Sequence, residues 1–173
     1  MKRLDCLLAI LLLSGSAANA QSSPQAQRAM KTADAALDDA WDYVSTQMGY
    51  TWHTAANGMS VQFGVPETDD RAFRVDCENG KLLVIAPAKT NARQGTPTTA
   101  TFQNGEKRPG SISYLGDGPN LVISLVPTDP VVGTLLTDGR IRIDTPVTVV
   151  SVAGAGGSAL LHALVERCRA QKP

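Results

Sequence analysis

Five dipeptides of one kind punctuate the chain from residue 57 onward: Asn57-Gly58, Asn79-Gly80, Asn104-Gly105, Asp117-Gly118 and Asp138-Gly139. Asn, Asp and Gly tolerate the positive φ that tight hairpin turns demand, so each pair marks a place where an extended chain can fold back on itself. The stretches between them are short. Phe73, Val75 and Cys77 alternate with Arg74 and Asp76, the turn Glu78-Asn79-Gly80-Lys81 follows, and Leu82-Leu83-Val84-Ile85 returns. Residues 52–56 and 59–65 pair in the same way around Asn57-Gly58. Residues 98–102, 111–115, 121–126, 140–144 and 147–152 complete about nine strands of ordinary length. Short, evenly spaced strands joined by hairpin turns predict a mainly β fold of the α+β kind, an antiparallel sandwich or partly closed barrel.

Three helical segments flank or interrupt the strands. Met30, Ala33, Leu37, Trp41, Val44 and Met48 recur at steps of three and four, which predicts an amphipathic helix over about 26–48. Its other side carries Asp34, Asp38 and Asp42, like charges four residues apart that repel by a few tenths of a kcal/mol per pair. A solvated face is the simpler reading of these acids and an acidic docking face the functional one. Asp129-Pro130 opens a short helix near 130–137 with a capping residue and a proline at the first helical position. Gly154-Ala155-Gly156-Gly157 leads into a last helix on which Leu161, Leu164, Val165 and Cys168 share a face.

The first twenty residues read as a leader. Lys2 and Arg3 precede the apolar run of residues 7–13, and Ala18-Asn19-Ala20 is a small-x-small cleavage site with Gln21 as the new N-terminus. The run is too short to span a bilayer. Cleavage removes Cys6 with Lys2, Arg3 and Asp5, leaving 14 basic against 15 acidic side chains, a net charge of −1. Such a balance argues against nucleic acid or an anionic membrane as main partner. The expected organisation is therefore a signal peptide at 1–20, a polar lead-in and helix at 21–50, and a β domain at 51–173, exported to the periplasm or beyond.

Export leaves Cys77 and Cys168 in an oxidising compartment. Cys77 shares its strand face with Phe73 and Val75, and Cys168 lies on the apolar face of the last helix, so a structural disulfide stacking helix on sheet is expected. It would close a loop of roughly ninety residues, worth on the order of 4 kcal/mol. The two histidines, His53 and His162, have no partners at metal-ligand spacing, and no Cys-x-x-Cys or Gly-x-Ser-x-Gly occurs. No cofactor is expected. Glu67, Asp69 and Asp70 are the one carboxylate cluster that could serve acid–base work, though an exposed polar turn is the commoner role. Lys89, Arg93, Lys107 and Arg108 read as solvated charges around the patternless loop 88–97. The glycine-rich link lacks the lysine of a phosphate loop and reads as a flexible turn.

One ordered set of features carries a resemblance. A Trp-led strand is followed by Phe73-Arg74-Val75-Asp76-Cys77, a hairpin, and Leu121-Val122-Ile123-Ser124-Leu125. Then come the Pro-initiated helix ending Leu135-Leu136, Arg140-Ile141-Arg142-Ile143-Asp144-Thr145-Pro146, and a Gly-led helix ending in Cys168. This layout resembles small exported proteins of Gram-negative bacteria and is similar to the VasI-like accessory proteins of type VI secretion systems. The resemblance implies a non-catalytic envelope protein with its first cysteine on a strand and its last on the terminal helix.

Together these readings predict a non-catalytic binding or accessory protein of the cell envelope whose partner is another envelope protein. Two rivals differ in class. An inhibitor or immunity-type protein would block an envelope hydrolase through loop 88–97. A carboxylate-dependent hydrolase would use Glu67, Asp69 and Asp70.

Overall fold

The computed structural model describes residues 23–115 and 118–171. The expected leader at 1–20, the expected new N-terminus at Gln21 and the Asp117 half of one turn dipeptide lie outside the described residues. The chain divides into two compact units, Met1–Asp34 and Ala35–Pro173. The described part of the first, residues 23–34, is the opening of helix α1 (Pro24–Gln47); the later turns of that helix belong to the second unit.

That second unit is built on one sheet of nine antiparallel strands: β1 (Thr51–Thr54), β2 (Ser60–Gly64), β3 (Arg71–Glu78), β4 (Lys81–Pro87), β5 (Pro97–Phe102), β6 (Lys107–Leu115), β7 (Gly118–Leu125), β8 (Arg140–Asp144) and β9 (Val149–Ala153). Their order is β1-β2-β3-β4-β7-β6-β5-β8-β9. Of the two expected architectures it is the partly closed one, a single sheet curled into a half-barrel. Two helices complete it, α2 (Val132–Leu135) and α3 (Ser158–Ala170).

The turn chemistry explains the register. Asn79 and Gly80 have φ of 51° and 73°, so Glu78 pairs with Lys81 across a two-residue loop whose twist matches the strands. At Asn57 and Asn104 the side-chain amide oxygen accepts from the backbone two residues on, at Met59 and Glu106, while the following glycine takes the positive φ. Asp138-Gly139 instead closes the segment after α2, where Gly139 donates to the Thr137 hydroxyl.

Alternation then fills one face. Phe73, Val75 and Cys77 of β3, Leu82, Val84 and Ala86 of β4, Leu121, Ile123 and Leu125 of β7, and Ile141 and Ile143 of β8 are all buried. Leu161, Leu164, Val165 and Cys168 of α3 lie in the same core cluster, the three aliphatic side chains each worth about 1.5–3 kcal/mol when fully buried. The expected disulfide is present: Cys77 and Cys168 are bonded, their Cα atoms 5.5 Å apart across 91 residues of sequence.

Curling brings the two edge strands together. The Trp52 indole on β1 donates to the carbonyl of Ala153 at the end of β9, at 2.8 Å. Gly157, the residue before α3, then lies flat against that ring; a Cβ there would sit 2.5 Å from the indole carbons. A Cβ on Gly154 would meet the carbonyls of Thr137 and Gly139. The glycine-rich link is thus a close-packing requirement rather than a flexible turn.

Candidate functional site

The second half of α1 meets the sheet through its acids. Asp38 Oδ2 lies 3.4 Å from Arg140 Nε, and Arg140 Nη2 donates to Asp42 Oδ2. Arg140 Nη1 donates to the Ser151 hydroxyl at 3.2 Å, which itself donates to Asp38 Oδ1 at 2.7 Å. Ile141 and Ile143 point into the core, so their neighbour Arg140 projects from the other face of β8, beside Ser151 of β9. Two like charges one turn apart would repel. A guanidinium with five N–H donors converts that repulsion into a shared attraction. The acids Asp38 and Asp42 are therefore a docking face turned toward their own domain, not a solvated one. Ser45, one turn further, is 1% exposed.

Because the acids face inward, the apolar stripe does not. Leu37, Trp41, Val44 and Met48 are 69%, 40%, 43% and 51% exposed. Trp41 is held in place by an edge contact to Tyr50, with ring centroids 6.3 Å apart. Tyr50 packs on Phe63, Phe63 on Trp52 and Trp52 on Phe73, so an aromatic chain connects the exposed stripe to the core. The helix is thus fixed by its polar side and presents a row of large apolar side chains to solvent at helical spacing.

The other candidates sit elsewhere. Glu67, Asp69 and Asp70 are exposed on the turn between β2 and β3. Asp69 accepts from Arg71 at 2.9 Å, and the Tyr50 phenol donates to Asp70. Burial and the Asp70 carboxylate push the Tyr50 phenol up to about 12. His53 lies on β1 with Nδ1 3.1 Å from the Thr51 carbonyl, and His162 is exposed on α3. The structure brings neither histidine to the carboxylates. Among the described residues no three His, Cys, Asp or Glu side chains converge as a metal site.

Loop 88–97 is tied down along β6. Ala88 is buried, the Gln94 amide oxygen accepts from Tyr114 N at 2.6 Å, and Tyr114 Oη donates to the Ala92 carbonyl at 3.0 Å. Of the four nearby cations, Lys89, Arg93 and Lys107 are exposed, whereas Arg108 forks onto Asp129 at 2.7 and 2.8 Å. That guanidinium holds the Asp129 carboxyl below its usual range, and Asp129 also accepts from Val131 N at the start of α2.

Sequence reasoning missed Arg140 as the docking partner of α1. The available signal was reciprocal: acids at 38 and 42 without local cations, and Arg140 on the outer face of a strand. No protein-family model matches the chain, and neither a characterised protein nor a solved structure does.

Proposed function

We propose that this is a non-catalytic binding protein of the cell envelope that docks the apolar face of α1 into a hydrophobic groove of another envelope protein. The observation that carries the reading is the pairing of Asp38 and Asp42 with Arg140, which fixes the helix while leaving Leu37, Trp41, Val44 and Met48 exposed. Together these side chains offer roughly 400 Å², about half the ~800 Å² per partner that a stable flat interface needs. Face-to-face pairing of two copies therefore gains too little, whereas a groove that wraps the helix covers its flanks as well. Export is supported by the basic, apolar and small-residue pattern of 1–20 and by the long-range disulfide. The VasI-like layout points to the same class of protein.

A photo-crosslinker placed at position 40, an exposed site that neighbours both Leu37 and Val44 on the helix surface, tests this in envelope extracts. The expected result is a crosslink to an apolar groove of one partner, abolished by Leu37→Gln with Val44→Gln while the fold and Tm stay unchanged. Crosslinks between two copies of the chain, or a partner retained by the double variant, would overturn it.

A further inference from the structure

We infer that a second site, independent of α1, binds a small organic anion with an apolar body in a cavity at the β3–β4–β7 end of the sheet. The cavity measures about 430 Å³, within the range of small-ligand pockets. Arg71 and Arg74, with the Asp69 carboxylate that pairs with Arg71, line it alongside Ile85, Pro87, Leu115 and Pro119, and Arg74 and Ile85 are cross-strand neighbours.

The local backbone assembles this pair of arginines. Phe63 pairs with Phe73 but Gly64 pairs with Arg71, so Ala72 is an extra residue and β3 bulges there. A Cβ at Gly64 would meet the Asp70 carbonyl and lie 2.9 Å from Arg71 Cα, so the bulge requires a glycine opposite it. Strict alternation over 71–74 would place Arg71 and Arg74 on opposite faces; with the bulge both line one cavity.

Both guanidinium groups hold hydrogen-bonding capacity in reserve. Nε of Arg71 and Nε of Arg74 are buried without a hydrogen-bond partner. Arg74 Nε is 3.0 Å from Asp76 Oδ2 but out of line for a hydrogen bond, and Arg71 is engaged through Nη2 with Asp69, a side chain 89% exposed. Buried donors without acceptors are rare in folded proteins and call for an explanation. A guanidinium can only donate, so the complement must accept; two charged donors in one cavity are best matched by an oxyanion. The apolar part of the lining, two prolines with Ile85 and Leu115, excludes a bare hydrated ion as the best fit and suits a short hydrocarbon body. The ligand class is thus a carboxylate or phosphate-monoester head on an apolar tail.

Titration of the oxidised protein with octanoate, octyl phosphate, octan-1-ol, acetate and inorganic phosphate tests this, read by calorimetry and by the arginine Nε–H resonances. Octanoate or octyl phosphate should bind and move both Nε–H signals, and the better of the two identifies the head. Octan-1-ol, acetate and phosphate should each bind at least about tenfold more weakly, and Arg71→Gln should weaken binding about tenfold. Leu115→Asp, which places a carboxylate on the rim without touching either arginine, should do the same and replaces Arg74→Gln if that variant fails to fold. Octan-1-ol binding as well as octanoate, equal affinity in all variants, or unmoved Nε–H signals at saturating ligand would each overturn the inference.

Discussion

Replacing Arg140 with Ala should release α1 from the sheet while leaving the sheet intact. The substitution deletes a guanidinium that contacts Asp38, Asp42 and Ser151 at once. A hydrogen bond to a charged group is worth about 1.5–3 kcal/mol when its partner is left without compensation. Here the arginine and the two acids are 24%, 22% and 34% exposed, so water recovers part of each lost contact. Repulsion between Asp38 and Asp42, no longer bridged, returns a few tenths of a kcal/mol. The expected loss is about 2 kcal/mol, which for a unit of this size lowers Tm by roughly 6–8 °C. Differential scanning calorimetry gives the magnitude, and amide exchange gives the location: protection should fall over residues 38–47 and persist in β3, β4 and β7. Arg140→Lys should recover only part, because an ammonium keeps the charge but not the fork that reaches three partners. Leu37→Gln and Val44→Gln are the controls, with shifts under ~1 °C expected at exposed positions. If Arg140→Ala leaves Tm and α1 exchange unchanged, or the two controls destabilise as much, the helix is held by its apolar side and the reasoning is wrong.

Reduction and alkylation of Cys77 and Cys168, or Cys77→Ala with Cys168→Ala, should cost about 2–5 kcal/mol, seen as a lower urea midpoint, because the bond closes a loop of 91 residues. Gly157→Ala should destabilise by about 1–3 kcal/mol, since its methyl would enter the space of the Trp52 ring; unchanged tryptophan emission together with an unchanged melting curve would contradict the packing. Asp129→Asn should abolish a pH-dependent share of stability. The folded carboxyl sits below its unfolded value, so its contribution is present above about pH 4 and is lost as pH falls through the folded pKa. The stability gap between wild type and Asp129→Asn should therefore be constant from pH 7 to about 5 and close toward pH 2, and a gap unchanged at pH 2 would refute the assignment.

What could be read from the chain depended on how many partners each residue had to choose from. The hairpins were legible because Asn79-Gly80 and its like specify a turn locally, and alternation in residues 73–77 then dictates which side is buried. The disulfide was legible because the leader reading of residues 1–20 sets Cys6 aside and leaves Cys77 and Cys168 with a single pairing. The docking of α1 was not. Periodicity separates a helix into two faces, but it does not say which one turns inward; that depends on the surface offered by the receiving strands. With 14 cations and 15 anions beyond residue 20, nothing local matches Asp42 to an arginine 98 residues away. The arginine cavity was hidden for a related reason. Arg71 and Arg74 read as residues of opposite faces until the bulge opposite Gly64 is known, and a bulge is a property of two strands. The carboxylates at 67, 69 and 70 drew the chemical reading because they cluster in sequence, yet a buried polar atom without a hydrogen-bond partner lies one residue later, at Arg71 Nε. Sequence proximity gathers exposed groups into conspicuous clusters, whereas function that depends on desolvated donors is assembled across strands, where only the fold reveals it.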